Sequence, residues 1–382
     1  MTETALPPAR PLAEDYLEQP GRAVAATNAL VRSVGPIVLA LGAGAAIIAA
    51  LGRNPGAFYS DILEGGLLTR TGFEASLTRT ATLLLIAVGL VVVFRANIWN
   101  LGIDGQFLLA GVLVAGLGPD LRGVLPNALL LLLLFLVAIT VGALWTVVPA
   151  FLRAYYGVNE IITTLMMTFI GINLANLLIK TAFRDFASTN VPQTSVLPLD
   201  ERLPRLPETR SVHIGIVVAL AVAVIVHYVM TRTSFGLRLN VLGANPRAAG
   251  HFGLSVPRLI MVSFCISGGI IGMAGATEIL GVWGYVRADW NPAFGLTVVP
   301  LVFLARLNAI AVVPFVALLA VLSIGGDLAT RRAELANDFL LVLVGLILIF
   351  MAVTEYMGRR RALGATYLTP GLAAGLRRRP RR

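Results

Sequence analysis

Residues 123–152 read GVLPNALLLLLLFLVAITVGALWTVVPAFL, thirty positions without Asp, Glu, Lys or Arg. A helix rises 1.5 Å per residue, so this stretch is longer than the ~30 Å hydrocarbon core of a bilayer. Uncharged runs recur on both sides of it, at 33–52, 161–179, 211–231, 259–277 and 307–326. Four shorter runs complete the pattern: 15 uncharged residues between Arg79 and Arg95, 15 between Asp104 and Asp120, and the segments 290–305 and 339–354. Across 382 residues, 57% are hydrophobic and 13% charged, with mean hydropathy +0.84. A soluble domain of that length carries about twice the charge. Strands are excluded, because alternating polar positions are absent and an open sheet edge in lipid leaves backbone groups unpaired. The reading is an all-α integral membrane protein, a polytopic helical bundle of about ten transmembrane segments. Segments two to five and seven to ten start from opposite sides, the pattern of two inverted four-helix repeats.

Charge sets the expected orientation. With residues 1–33 placed in the cytoplasm and segments alternating, the inner side holds 18 of the 30 basic residues against seven acids, and the outer side holds 12 of each. That is the positive-inside asymmetry. Residues 1–33 form a cytoplasmic tail, too long and too acidic at Glu14, Asp15 and Glu18 for a cleaved signal. Residues 34–356 are the membrane domain, and 357–382 form a basic cytoplasmic tail. Beside a membrane the tail's arginines match anionic lipid, and no nucleic-acid partner is expected. Residues 53–78, including Tyr59-Ser60-Asp61, are expected outside, packed on the membrane surface, and 180–212 form an external Pro-rich loop. The single cysteine, Cys265, lies in a span, and His213, His227 and His251 are scattered, which suggests no metal site. The only lysine, Lys180, follows Ile179 rather than Gly, so a phosphate-cradling G-x-x-x-x-G-K-[ST] loop is absent.

Function must then reside in a few polar groups. Asn97, Asn100, Asp104 and Gln106 cluster at a helix interruption, where they either line a pathway or satisfy broken backbone groups. Asn159 and Glu160, with Thr164 one turn on, open a helix after Gly157; capping and dipole stabilisation compete with a place in the pathway. Glu278 is expected near the external end of segment seven, facing a cavity or pairing with Arg287. Trp283, Tyr285 and Trp290 are expected in an external interfacial belt, with a base-stacking site as the alternative. Gly268, Gly272 and Ala276 repeat every four residues, which permits close helix packing. In the inner loop 232–258, Asn245 before Pro246 caps a short helix whose small-residue face, Ala248 and Ala249 with Phe252, either docks a partner or is an ordinary amphipathic surface.

Four stretches in chain order make the pattern specific. Gly236, Arg238, Gly243, Asn245, Pro246, Arg247, Ala248, Ala249 and Gly253 lie in a loop that resembles the ATPase-contacting loop of branched-chain-amino-acid/ribose-type ABC permeases, a G-x-x-x-x-A-x-G-x-N-x-x-A-A-x-x-x-G pattern carried here by Gly236, Gly243, Asn245, Ala248, Ala249 and Gly253. Ser267-Gly268 through Glu278 is similar to that family's S-G-x-x-A-G-x-A-G-x-x-E run. Asn100-Leu-Gly-Ile-Asp104-Gly-Gln106 and Gly157-Val-Asn159-Glu160 through Met166 are similar to runs of its nucleoside/simple-sugar branch. Departures fall at Thr168, where Asn is common, and at Pro300, Phe303 and Ala305. The resemblance implies a permease subunit of an ATP-driven importer, moving a nucleoside or a similar small polar solute by alternating access, with a simple sugar such as ribose as the alternative. It implies separate ATPase subunits that hold ATP and Mg, a second permease subunit of the same or a different chain, an extracytoplasmic solute-binding protein, no cofactor in this chain, and a bacterial inner-membrane location. Pathway residues are then Asn97, Asn100, Asp104, Gln106, Glu160, Thr164 and Glu278. Two other classes fare worse: an ion-coupled transporter needs paired ionisable groups at mid-membrane, and an intramembrane enzyme needs clustered His/Asp/Glu or Ser/Lys.

Overall fold

The computed structural model describes residues 22–187, 191–209, 211–336 and 339–362. They form fourteen α-helices: α1 Arg22–Ala50, α2 Pro55–Leu63, α3 Arg70–Arg95, α4 Ile103–Asp120, α5 Asn127–Trp145, α6 Val147–Tyr156, α7 Glu160–Lys180, α8 Gly215–Arg232, α9 Ser234–Ala244, α10 Pro246–His251, α11 Val256–Glu278, α12 Phe294–Leu304, α13 Val312–Arg332 and α14 Phe339–Ala362. Two π-turns, Glu64–Leu68 and Ile279–Trp283, extend α2 and α11. Among the described residues the only β-pairing is two isolated bridges, Gln193 with Arg287 and Arg205 with His213. The chain divides into a large unit, residues 43–346, and a smaller one that includes the first part of α1 and the last part of α14. Most of the expected tails falls outside the described residues, but helix begins at Arg22 and continues to Ala362, inside both.

Among the described residues six helices are long and apolar enough to cross a bilayer: α3, α5 continued by α6, α7, α8, α11 continued by its π-turn, and α13. Shorter apolar helices cover Val34–Ala50, Phe294–Leu304 and Leu341–Thr354. The chain is a helical multi-pass membrane protein. Burial sorts its helices within the large unit. In α3 89% of the apolar window is buried and in α11 72%, against 22% in α5–α6 and in α7. Lipid tails are as apolar as leucine, so the leucine-rich α5 needs no protein over most of its surface. The small and hydroxylated residues of α3 and α11 gain from contact with other helices instead.

Glycine sets the closest approaches. A Cβ on Gly142 of α5 would stand 2.1 Å from the Gly268 carbonyl oxygen, and one on Gly272 of α11 would stand 2.1 Å from that of Ala138. The four-residue repeat on α11 is therefore the seam against α5, as the spacing implies.

The stretch 53–78 differs from expectation. Asn54 caps α2 by accepting from the Gly56 and Ala57 amides, and α2 then buries Phe58 and Ile62 with Ile48, Leu322, Ala329, Phe339 and Leu343. A Cβ on Gly325 would lie 2.0 Å from the Ile62 carbonyl oxygen, so α13 meets the end of α2 backbone to backbone. Burial of two large apolar side chains outweighs lying on the membrane surface. α3 likewise begins at Arg70, well before the uncharged run, because its early charges have partners. The Glu74 carboxylate accepts from Arg70 at 3.1 Å and from the Ser211 amide at 3.1 Å.

Candidate functional site

The α11 helix ends on Glu278, whose side chain is 1% exposed. Three groups converge on it. The Thr82 hydroxyl donates at 2.7 Å, the Trp283 indole N–H donates at 3.1 Å, and the Arg79 guanidinium stands at 3.5 Å. Arg79 and Thr82 are three residues apart on α3 and so share one face. Trp283 closes the π-turn; the extra residue in that turn shifts the side chain back over the carboxylate. Arg287, one partner weighed from sequence, makes no ion pair with Glu278 among the described residues; its backbone bridges to Gln193.

Aromatic rings wall this charge pair. The Arg79 guanidinium lies 4.8 Å above the Phe294 ring. Phe107 of α4 packs edge-on to Phe294 at 5.7 Å and beside Trp290 at 6.2 Å, and Trp290 meets Trp283 at 5.8 Å. Trp283 and Trp290 thus join an aromatic cluster with Phe107 and Phe294, although Trp283 itself is exposed. The indole N–H of Trp283 goes to Glu278, which water at an interface would otherwise serve.

Asp104 completes the arrangement from α4. Its carboxylate accepts from the Gly295 amide at 2.9 Å, at the first turn of α12. α12 has 11 residues, about 16 Å, roughly half a bilayer. It enters through Ala293 at φ 51°, a left-handed conformation costly for a residue with a Cβ. A carboxylate at the start of a short half-helix satisfies an orphan amide and the positive end of the helix dipole. A Cβ at Gly295 would stand 2.9 Å from the Asp104 oxygen and 3.0 Å from the Ile103 Cβ, so glycine lets the carboxylate approach closely.

The other polar candidates assemble differently. Asn100 and Gln106 exchange amide hydrogen bonds, with Gln106 Nε2 donating to Asn100 Oδ1 at 2.9 Å. Asn100 Oδ1 also accepts from the Gly102 amide, and its Nδ2 donates to Ser267. The Thr164 hydroxyl accepts from the Leu101 amide at 3.2 Å, and Thr168 donates to the Leu101 carbonyl at 3.1 Å. In this network Asn100 and Gln106 hydrogen-bond each other, and Asn100 and Thr164 bond the irregular backbone between α3 and α4. Asn97, at φ 54°, is exposed and off the network. Glu160 is paired with Arg153 at 3.2 Å in the first turn of α7, which Asn159 caps through the Ile161 amide.

The segment 194–203 pairs with the chain that follows Glu278. The Thr194 amide donates to the Val286 carbonyl, Leu197 to Gly284 and Leu203 to Leu280. His213 lies just before α8 and is 1% exposed. Its Nδ1 accepts from the Gly215 amide at 3.1 Å, which leaves the proton on Nε2, buried and without a hydrogen-bond partner among the described residues. Burial pushes this imidazole down to about 4.

The loop 232–258 is α9 and α10. Asn245 caps α10 by accepting from the Arg247 and Ala248 amides at 3.0 and 3.1 Å. A Cβ on Gly243 would stand 2.3 Å from the Arg95 carbonyl oxygen, and one on Gly236 would stand 2.3 Å from that of Met230, so both glycines let α9 press against the ends of α3 and α8. Gly253, at φ 75°, turns the chain into α11. Ala249 is buried, while Arg238, Pro246, Arg247 and Phe252 face outward, Phe252 at 80% exposure. Ala249 and Phe252, read from spacing as one face, therefore point in different directions.

Residues 72–352 match the family described as branched-chain amino acid transport system, permease component. The chain belongs to this family. Such permeases are the membrane-spanning subunits of ABC transporters; they lack an ATPase site of their own, and ATP is hydrolysed by a separate chain. Similar proteins include the glucose ABC transporter permease TsgB13 of Haloferax volcanii, 30% identical over 90% of this chain and 92% of its own length. The guanosine ABC transporter permease NupP of Bacillus subtilis is 29% identical over 86% and 96%. The nucleoside ABC transporter permease NupB of Lactococcus lactis is 24% identical over 81% and 87%.

Sequence reading alone singles out Glu278 and Asp104 but misses Arg79, Thr82, Phe107 and Phe294. One signal is available. Arg79 stands where a long apolar run begins, and Glu278 is the only acid within its own apolar stretch. Two opposite charges facing the interior of one bundle need each other.

Proposed function

We propose that this permease moves a nucleoside inward, past the Arg79–Glu278 cluster, by alternating access. The observation that carries the reading is a buried carboxylate framed by Trp283, Trp290, Phe107 and Phe294. A nucleobase offers a flat π-face for such rings and N–H donors for such a carboxylate. The names of the guanosine and nucleoside permeases among its relatives support the same class. A simple sugar is the second reading, favoured by the similarity to the glucose permease.

The rest of the proposal concerns topology and partners. The six long apolar helices, with α1, α4, α12 and α14, make ten membrane segments, and segments two to five and seven to ten form an inverted pair. The excess of basic residues on the 232–258 side supports placing that loop and both termini in the cytoplasm of a bacterial inner membrane. There the exposed Phe252 and Arg247 around the Asn245-capped α10 dock the ATPase, which carries ATP and Mg. A second permease subunit and an extracytoplasmic solute-binding protein complete the importer. Of the pathway residues read from sequence, Glu278 and Asp104 are retained as solute-facing; Asn100, Gln106 and Thr164 support the backbone break between α3 and α4, Glu160 pairs with Arg153, and Asn97 is given no role.

Uptake of labelled purine nucleoside, in cells with and without this chain, tests the reading. Chain-dependent uptake that resists excess ribose and glucose supports it. Uptake blocked by either sugar moves the substrate to the sugar class.

A further inference from the structure

We propose that an anionic glycerophospholipid occupies a groove along α11, its phosphate held by Arg238 and Arg258 and one acyl chain lying against α5. A groove of about 410 Å³ opens between α9 and the start of α11, lined by Phe235, Arg238, Leu254, Arg258 and Val262. Two arginines line it beside the apolar Phe235, Leu254, Leu259 and Val262. Both arginines are exposed, and neither makes an ion pair among the described residues. A second groove, about 470 Å³, shares Val262 and continues along α11 past Cys265, Gly269 and Met273, with Ile139 of α5 on its far side.

The residues 258, 262, 265, 269 and 273 recur every three or four positions, so the two grooves form one track on one face of the helix. From Leu259 to Met273 the helix rises about 21 Å, and one leaflet contributes about 15 Å of hydrocarbon. The track therefore has the polarity and the reach of a single lipid: cationic at the membrane boundary, apolar for the depth of one leaflet. Gly269 keeps its floor open, since a Cβ there would press to 3.2 Å on Ile139. Arginine suits the phosphate because its planar fork binds oxygen anions bidentately. The inference needs only that the Arg238–Arg258 end lies at a membrane surface, so it stands apart from the identity of the solute and from which face is cytoplasmic.

Native mass spectrometry of the full chain in detergent tests it, with phosphatidylglycerol and phosphatidylcholine titrated in parallel. Two arginines at a lipid surface give about five-fold preference each, so phosphatidylglycerol should be retained about 25-fold better. Arg238→Gln with Arg258→Gln should abolish the preference, while Val262→Trp, which fills the track and keeps both charges, should reduce retention of both lipids. Equal retention of the two lipids by the unaltered chain overturns the proposal, as does preference unchanged in the double variant. Cys265, the only cysteine in the sequence, reports the competing occupant. Ready Cys265–Cys265 disulfide formation between two copies in native membranes shows that protein covers the groove, and it also overturns the proposal.

Discussion

Exchanging the Arg79–Glu278 pair for neutral side chains perturbs the site most directly. Glu278→Gln keeps an acceptor for Thr82 or Trp283 but leaves the Arg79 guanidinium, 21% exposed, without a counter-charge. Breaking a buried pair from one side costs about 3–5 kcal/mol. Arg79 retains some water and the Phe294 face, the latter contributing about 0.5–1 kcal/mol, so the lower end, about 3 kcal/mol, is expected. Arg79→Met strands Glu278 at 1% exposure with two neutral donors, and the cost rises to about 4 kcal/mol. In the double variant no charge remains, and the amide introduced by Glu278→Gln still accepts from Thr82 or Trp283. Its loss should be about 1–2 kcal/mol, giving a coupling of several kcal/mol between the two positions. Denaturant unfolding in detergent, followed by tryptophan fluorescence, reads all four proteins, with Trp283 reporting on the site itself. Losses that add to within about 0.5 kcal/mol would refute the reasoning, because non-interacting residues add.

Other expectations follow from single contacts. Gly272→Val should force α5 and α11 apart and cost at least about 1–3 kcal/mol, seen as a lower unfolding midpoint; an unchanged midpoint contradicts the seam. Asn245→Ala removes the cap of α10 and costs about 1 kcal/mol, while Phe252→Asp should leave stability unchanged and abolish ATPase association in co-purification; retained association removes Phe252 from the docking surface. Asp104→Ala should release the start of α12 and lower transport more than Asp104→Asn, which still offers an acceptor to Gly295; equal effects contradict the capping role. His213 sets an acid sensitivity. Its folded pKa of about 4 lies below the ordinary 6.5, so the unfolded chain binds the extra proton and stability falls as pH drops through that window. Between pH 7 and pH 5 the loss is about 2 kcal/mol, and unfolding of His213→Phe should lack this component; an identical acid slope in the variant contradicts it.

The membrane class was legible because long uncharged runs admit one physical explanation, and the family because four motifs fall in order. The cap at Asn245 was legible because capping is local: one side chain and two amides a few residues on. What escaped the sequence was long-range. Nothing local indicates that Arg79 faces Glu278, 199 positions away, or that Asp104 serves an amide 191 positions away. Charge counting treats Arg79 as a boundary of its span, although a paired arginine can lie inside the helix. Likewise Asn100, Gln106 and Thr164 read as pathway candidates because polar residues in a membrane are costly; that their hydrogen bonds close a backbone break between α3 and α4 depends on partners distant in sequence.

The central claim is that this chain is the solute-conducting subunit of an ATP-driven importer, with Glu278 facing the solute. Uptake of labelled guanosine into proteoliposomes, reconstituted with the partner ATPase and solute-binding protein, tests it most directly when wild type and Glu278→Gln are compared. The account predicts uptake that requires ATP and is unaffected by collapse of ion gradients. It further predicts that the variant loses most transport while its ATPase partner stays associated. Uptake that continues without ATP and stops when the gradient collapses would contradict the importer assignment. Full transport by Glu278→Gln would contradict the place given to the cluster.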